Sequence, residues 1–244
     1  MSKAEIAFAQ VSAIESVYRE RDWAFARERA AGINAHWTSL CAQKPSLFDG
    51  RVLLMDAWRI EDGVFHTQHF SADFRAFVAL RDFGFPDAGV RNCFAAAALV
   101  SSDGAFVLGE MGAHTANAGR IYFPCGTPDM GDVRKTPIGF SVDLAGSVLR
   151  ELEEETGLTR DEVSVDPGWT LVFEGPRVAC MQIVRSGLSA DALIARIEDF
   201  LRNQKEPEFV ALHVARKLED LKPGAMPGFT RAFLTRMLSA HQPG

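Results

Sequence analysis

Apolar residues recur along the first thirty positions at Ile6, Val11, Ile14 and Val17, ahead of a charged stretch over 19–22 and then Trp23 and Phe25. That spacing predicts a helix over these residues, with Gly32 as its stop. The turn-rich segment 44–50 precedes a run over 51–60 dense in Val, Leu and Trp. Asp62-Gly63 then supplies a tight-turn signal before 64–70, so 51–70 reads as a β-hairpin. A short helix over about 72–81 and a Gly/Pro connector over 83–89 follow. The boundary between an N-terminal extension (1–90) and a main domain (91–244) is placed there.

From Asn92 the pattern changes. The apolar, Ala-rich run 93–101 and the segment 105–109 flank Ser102-Asp-Gly104 and predict a second hairpin with strands buried on at least one face. A short strand over 120–123, a helix over 143–156, strands near 169–173 and 177–184, an amphipathic helix over 189–203 and a strand at about 209–214 come next. A final helix carries Phe229, Phe233, Leu234, Met237 and Leu238 along one side. Core docking is the plain reading of that stripe, and a dimer contact the other.

Composition narrows the class. The 244 residues are 47% hydrophobic and 24% charged, an ordinary globular balance. A net charge of −6 argues against non-specific nucleic-acid binding, which needs an excess of phosphate-neutralising cations. No apolar run approaches the ~18 residues of a membrane span, the longest being 93–100, and no secretory signal is visible at the start. Cys41, Cys93, Cys125 and Cys180 are scattered without a C-x-x-C pair, so reduced thiols in a cytoplasmic protein are expected rather than disulfides or a zinc knuckle.

The candidate chemistry lies in one helix. Leu144, Val148 and Leu152 recur every four residues and make a buried face, while Glu151, Glu154 and Glu155 project from a neighbouring one. Gly157 stands where a C-cap is expected, so Glu154 and Glu155 sit at the negative end of the helix dipole, at a cost of ~0.3–1 kcal/mol each. The Glu151/Glu155 pair adds a few tenths of a kcal/mol of repulsion. A divalent cation would relieve both, since hard cations take several carboxylate oxygens. A solvated acidic helix face is the alternative that spacing alone leaves open.

The whole string adds more. Arg150-Glu-Leu-Glu-Glu-Glu-Thr-Gly-Leu158 resembles, at every fixed position, the second half of the Nudix box, R-E-U-x-E-E-x-G-U with U aliphatic. The first half, G-x5-E-x7-R, is not met at standard spacing: its Glu falls on Val142 and its Gly on Thr136. Pro124-Cys-Gly126 resembles the usual entry to the box, and after five intervening residues Gly126 is followed by Asp132, a shorter carboxylate in the Glu position. Seventeen residues instead of seven then separate Asp132 from Arg150, so a ten-residue insertion over 133–142 interrupts the loop. The resemblance covers roughly 91–240.

That resemblance implies an α/β fold, a Nudix-type α/β/α sandwich with a mixed β-sheet, here with an N-terminal α+β extension that helps dimerise the chain or shape its pocket. It also implies Mg²⁺- or Mn²⁺-dependent hydrolysis of a diphosphate linkage in a nucleoside diphosphate derivative, an NDP-sugar or ADP-ribose before NADH or coenzyme A. The partner is then a small nucleotide, with neither nucleic acid nor membrane involved, and a homodimer is compatible. Glu151 and Glu155 would ligate the cation, with Glu154 joining them or ordering a water. Arg150 would orient the glutamates, and Gly126 would permit close backbone approach. Asp132 is a weaker candidate because it is short and adjoins the insertion. Glu208 and Glu206 are candidates for a remote ligand or general base, and Arg120 and Tyr122 for contact with substrate phosphate or base. The interrupted box also admits a fold that binds nucleotides without turning them over.

Other residues carry less. His66 and His69, three apart on a strand, point to opposite faces, and His36, His114, His213 and His241 lack ligand-spaced neighbours. Trp37, Phe48, Trp58 and Phe65 are expected to form a small core for the extension or a wall for a base.

Overall fold

The computed structural model describes residues 5–240; His241 lies outside them. The chain opens with β1 (Ile6–Val11) and β2 (Ala13–Tyr18), where a helix was expected. Alternation decides this: Ile6 and Phe8 pack into one core and Ala9 and Val11 into another, the two-faced pattern of a strand. On a helix Ile6 and Phe8 would stand about 200° apart. The expected stop at Gly32 also gives way. After α1 (Ala24–Glu28), α2 runs Ala30–Gln43 with Gly32 inside it and Ile33 buried beneath, because an exposed mid-helix glycine costs only ~1 kcal/mol.

The predicted hairpin is present as β3 (Arg51–Glu61) and β4 (Val64–Asp73). Asp62 and Gly63 turn it with φ of 49° and 75°, the conformation that Asp-Gly favours. Next come α3 (Phe74–Asp82), β5 (Asn92–Val100), β6 (Phe106–Met111), β7 (Ile121–Tyr122) and β8 (Cys125–Gly126). The insertion is itself a hairpin, β9 (Val133–Thr136) and β10 (Gly139–Val142). Beyond it are α4 (Leu144–Thr156), β11 (Val163–Val165), β12 (Trp169–Glu174), β13 (Arg177–Ser186), α5 (Ala190–Arg202), β14 (Phe209–Ala215) and α6 (Gly228–Ala240).

The fold is α/β with mixed sheets. The larger sheet runs β1-β12-β13-β5-β6-β14, with β11, β7 and β8 pairing onto β13, β6 and β5. Its central pair, β13 and β5, is parallel and the others are antiparallel. The smaller sheet runs β3-β4-β2-β10-β9. Leu53, Met55 and Phe65 of the smaller sheet share a core with Ala95, Leu171 and Cys180 of the larger one, and Leu144, Val148 and Leu152 of α4 close it. On the opposite face of the larger sheet α6 buries Phe229, Phe233, Leu234 and Leu238, so the C-terminal stripe docks into the core. A third core joins α1–α3 to the smaller sheet around Trp23, Phe25, Phe70 and Phe77.

The four aromatics expected to cluster in the first ninety residues do not form one cluster, although Trp58 and Phe65 are in ring contact with centroids 6.0 Å apart. Phe65 is buried between the sheets and Trp58 lies against Phe173. Trp37 packs on Phe74, and Phe48 is exposed. Their spacing in the sequence carries no information about which sheet face each one meets. Among the described residues no helix is long and apolar enough to cross a membrane.

Candidate active site

The register of α4 sets the site. Asp143 caps its N-terminus by accepting from Gly146 N (2.8 Å), and Gly157 ends it with φ 71°. With Val148 and Leu152 fully buried, Glu151 and Glu155 are turned along the flank that faces β8. Glu155 is 3% exposed and accepts from Cys125 N at 3.0 Å. Glu151 lies against Gly126, where a Cβ would stand 2.1 Å from its Oε1. The glycine is therefore required for the close approach of the β8 backbone to a carboxylate.

Arg150 organises the charges. Its guanidinium bonds the buried Asp132 (Nη2 to Oδ2, 3.0 Å) and reaches Glu151 Oε1 (2.9 Å) and Glu154 Oε2 (3.1 Å). Asp132 in turn accepts from Asp129 N at 3.0 Å, and its carbonyl accepts from Asp143 N at 2.8 Å. That last bond closes the ends of the β9–β10 hairpin. The ten-residue insertion thus leaves and rejoins the loop at one place, and α4 begins beside Asp132 despite the longer path. The hairpin projects away to pair with β2 through Ser141 and Val17.

A cavity of about 800 Å³ opens onto Glu151, Glu155, Glu208, Gly126, Arg120 and Tyr122. Glu208 precedes β14, and its carbonyl accepts from Gly112 N at 2.7 Å. Burial, together with Glu154, Glu208 and Asp132, pushes the Glu151 carboxyl up to about 7 against the pull of Arg150. Burial and then the Glu151 and Glu208 charges push Glu155 well above the carboxylate range. Glu208 is exposed as a whole residue, and partial desolvation of its carboxyl at the cavity raises it, with His114 opposing. The Cys125 thiol is raised for the same reasons, burial first and then the three carboxylates. Tyr122 is nearly inaccessible, is raised chiefly by burial, and accepts from Asn117 Nδ2 at 3.1 Å.

Glu151, Glu155 and Glu208 therefore share one cavity wall with Gly126, Arg120 and Tyr122. Glu154 is outside the cavity lining, its side chain 57% exposed and paired with Arg150. Glu206 is exposed and also outside the lining, and Asp132 sits behind Arg150. Sequence reasoning missed the opposite wall, which includes Lys44, Phe74, Phe77, Arg81 and Phe85. The one signal for it was Phe85 itself, an aromatic inside a Gly/Pro connector. Among the described residues no three His, Cys, Asp or Glu side chains stand ready to hold a metal ion as they are placed. The chemistry of the donor set nonetheless suits a hard divalent cation: three carboxylates line one cavity, and Glu151 and Glu155 are disfavoured as anions by burial first and then by neighbouring carboxylates.

No family profile and no curated protein matches this sequence. Solved structures with a similar arrangement include a Nudix hydrolase of M. smegmatis, RenU (17% identity, 63% of this chain and 89% of that one, TM-score 0.39). They also include an Ap4A hydrolase of C. elegans (15%, 60% and 96%, TM-score 0.41) and the MutT protein of Methanosarcina mazei (18%, 63% and 96%, TM-score 0.40). Likeness this distant does not bear on activity.

Proposed function

We propose that the protein is a Nudix-type hydrolase that cleaves a diphosphate linkage in a nucleoside diphosphate derivative with the help of Mg²⁺ or Mn²⁺. The observation that carries this reading is the pair Glu151 and Glu155, consecutive on one flank of α4 and opening with Glu208 into a cavity large enough for a nucleotide. The motif from Arg150 to Leu158 supplies both glutamates and the arginine beside them.

Glu151 and Glu155 would hold the cation, with Glu208 completing the donor set or acting as base. When bound, a divalent cation supplies positive charge against the phosphates and acidifies water. Arg150, anchored by Asp132, fixes the Glu151 carboxylate. Gly126 leaves room for that carboxylate at the β8 backbone. Glu208, whose carboxyl opens into the same cavity, would accept a proton from an attacking water. Arg120 on the same wall offers a cation to a phosphate oxygen. Glu154 would act through Arg150 rather than on the cation directly. The four free cysteines fit a reducing compartment such as the cytoplasm.

Glu155→Gln tests the reading across a panel of NDP-sugars, ADP-ribose, NADH, coenzyme A and nucleoside triphosphates. Turnover should fall at least 100-fold with the melting temperature retained. A folded variant with full Mg²⁺-dependent activity would overturn the proposal, and nucleotide binding by the native protein without any turnover would leave a binding module instead.

A further inference from the structure

We infer that Arg81, in the last turn of α3, is a substrate-binding residue that grips a phosphate from the wall opposite the carboxylates; the inference rests on the function proposed above. Four basic side chains line the cavity with Glu151, Glu155 and Glu208: Lys44, Arg81, Arg120 and Arg177. Three of them already have a terminal nitrogen engaged. Lys44 Nζ donates to the Thr115 carbonyl at 2.7 Å, Arg120 Nη1 donates to the Gly224 carbonyl at 3.5 Å, and Arg177 Nη1 lies 3.7 Å from Glu174 Oε2. Arg81 differs. It bonds through Nε to Asp82 Oδ1 at 2.7 Å, and neither Nη1 nor Nη2 has a side-chain or backbone acceptor among the described residues. Asp82 is itself held by His36, whose Nε2 lies 2.8 Å from Oδ2. The carboxylate therefore fixes the guanidinium plane and leaves its terminal donors to the cavity. A planar fork with unfilled donors matches the paired oxygens of a phosphate. Service to the helix dipole is the other role of an arginine at this place, but it needs only the charge and no fixed plane.

The backbone that carries Arg81 adds an independent sign. Gly84 N donates to the Arg81 carbonyl at 3.0 Å and Phe85 N to the Leu80 carbonyl at 2.8 Å, in a turn with φ of 80° at Gly84 and 56° at Phe85. A bulky side chain in the left-handed region is an outlier, and such conformations concentrate where a protein clamps a ligand. Phe85 lines the same cavity as Arg81. Charge points the same way. Three carboxylates repel a phosphate until a cation covers them, whereas Arg81 attracts it whether or not the cation is bound. The first ninety residues thus supply a binding group that the motif on α4 lacks.

The test uses the full chain and α,β-methylene-ADP, whose diphosphate resists cleavage, titrated calorimetrically in the presence of Mg²⁺. Arg81→Gln should weaken this probe about 10- to 100-fold, the worth of hydrogen bonds to a charged group. The dependence of its affinity on salt should flatten as well. Mg²⁺ alone should bind the variant as it binds the native protein, and adenosine, which has no phosphate, should bind both alike. Arg81→Lys keeps the charge and loses the fork, so it should restore only part of the affinity. Native affinity for the probe in Arg81→Gln, or an equal loss of adenosine, would overturn the inference. Should Arg81→Gln fail to fold, Arg81→Lys decides alone: a severalfold loss is expected, and native affinity refutes. Cleavage of diphosphates by the native protein, with probe affinity unchanged in Arg81→Gln, would sink the inference and leave the proposed reaction standing. Probe binding that depends on Arg81, without turnover of any diphosphate, would do the reverse.

Discussion

Gly126→Ala separates the site from the scaffold more cleanly than any other single change. The new methyl carbon would stand 2.1 Å from Glu151 Oε1, 2.2 Å from Cδ and 2.5 Å from Oε2. An ordinary contact needs roughly 3.4 Å, so the carboxylate must retreat by about 1 Å from the β8 backbone and from its place opposite Arg150. What yields is the end of a side chain and not a backbone, so the fold should absorb the change. Loss of glycine freedom in the unfolded chain even favours the folded state by about 0.4–1 kcal/mol. Misplacing a ligand by about 1 Å, in contrast, is worth roughly 100-fold in rate, or about 2.7 kcal/mol of barrier. The expected signature is a melting temperature equal to or above the native value, weaker Mg²⁺ binding by calorimetry, and turnover down about 100-fold. Native turnover in a folded Gly126→Ala protein would show that the position of Glu151 is irrelevant to catalysis.

Two more expectations follow from the same groups. Asp132→Asn removes the buried anion beneath Arg150; breaking a buried pair costs ~3–5 kcal/mol, reduced here to about 2 because the Arg150 side chain is 32% exposed. Urea denaturation would measure this, and an unchanged midpoint would contradict the anchoring role. The second concerns protons. Glu151 is raised from 4.5 to about 7, so the cation-free folded protein holds a proton that the unfolded chain releases. The resulting stability is present below about pH 4.5 and is lost as pH rises through about 7. Mg²⁺ competes with that proton, so the rise in melting temperature on adding Mg²⁺ should be larger at pH 8 than at pH 5.5. An equal rise at both would place cation binding elsewhere.

The parts of the molecule legible in the sequence are those whose pattern is local. Helix α4 announced itself through Leu144, Val148, Leu152 and a glycine cap, and the β3–β4 hairpin through Asp62-Gly63. What stayed hidden depends on partners far along the chain. The alternation in β1 serves two cores built from distant residues, and its strand partner β12 lies some 160 residues on. The insertion reads as an interruption because the bond from Asp143 N to the Asp132 carbonyl, which brings its ends together, has no signature in spacing. Glu151 and Glu155 were visible as a pair. That Glu154 turns to Arg150 while Glu208 shares their cavity follows from the packing of α4 against β8, which a helical wheel alone does not give. The α3 wall lies about seventy residues from the motif and could not be assigned to it without the fold.

β1 and β2 are separated by Ser12 alone yet belong to different sheets. As the chain leaves the ribosome, β1 is made well before β12, which it hydrogen-bonds through Gln10 and Thr170 and which lies 160 positions later. At ~5–20 residues per second the wait is roughly 10–30 s. Throughout it β1 has emerged without its partner β12, while β2 gains β4 after about fifty residues. Synthesis therefore assembles the smaller sheet ahead of the larger one, whose β1–β12 pairing joins two segments made far apart in time.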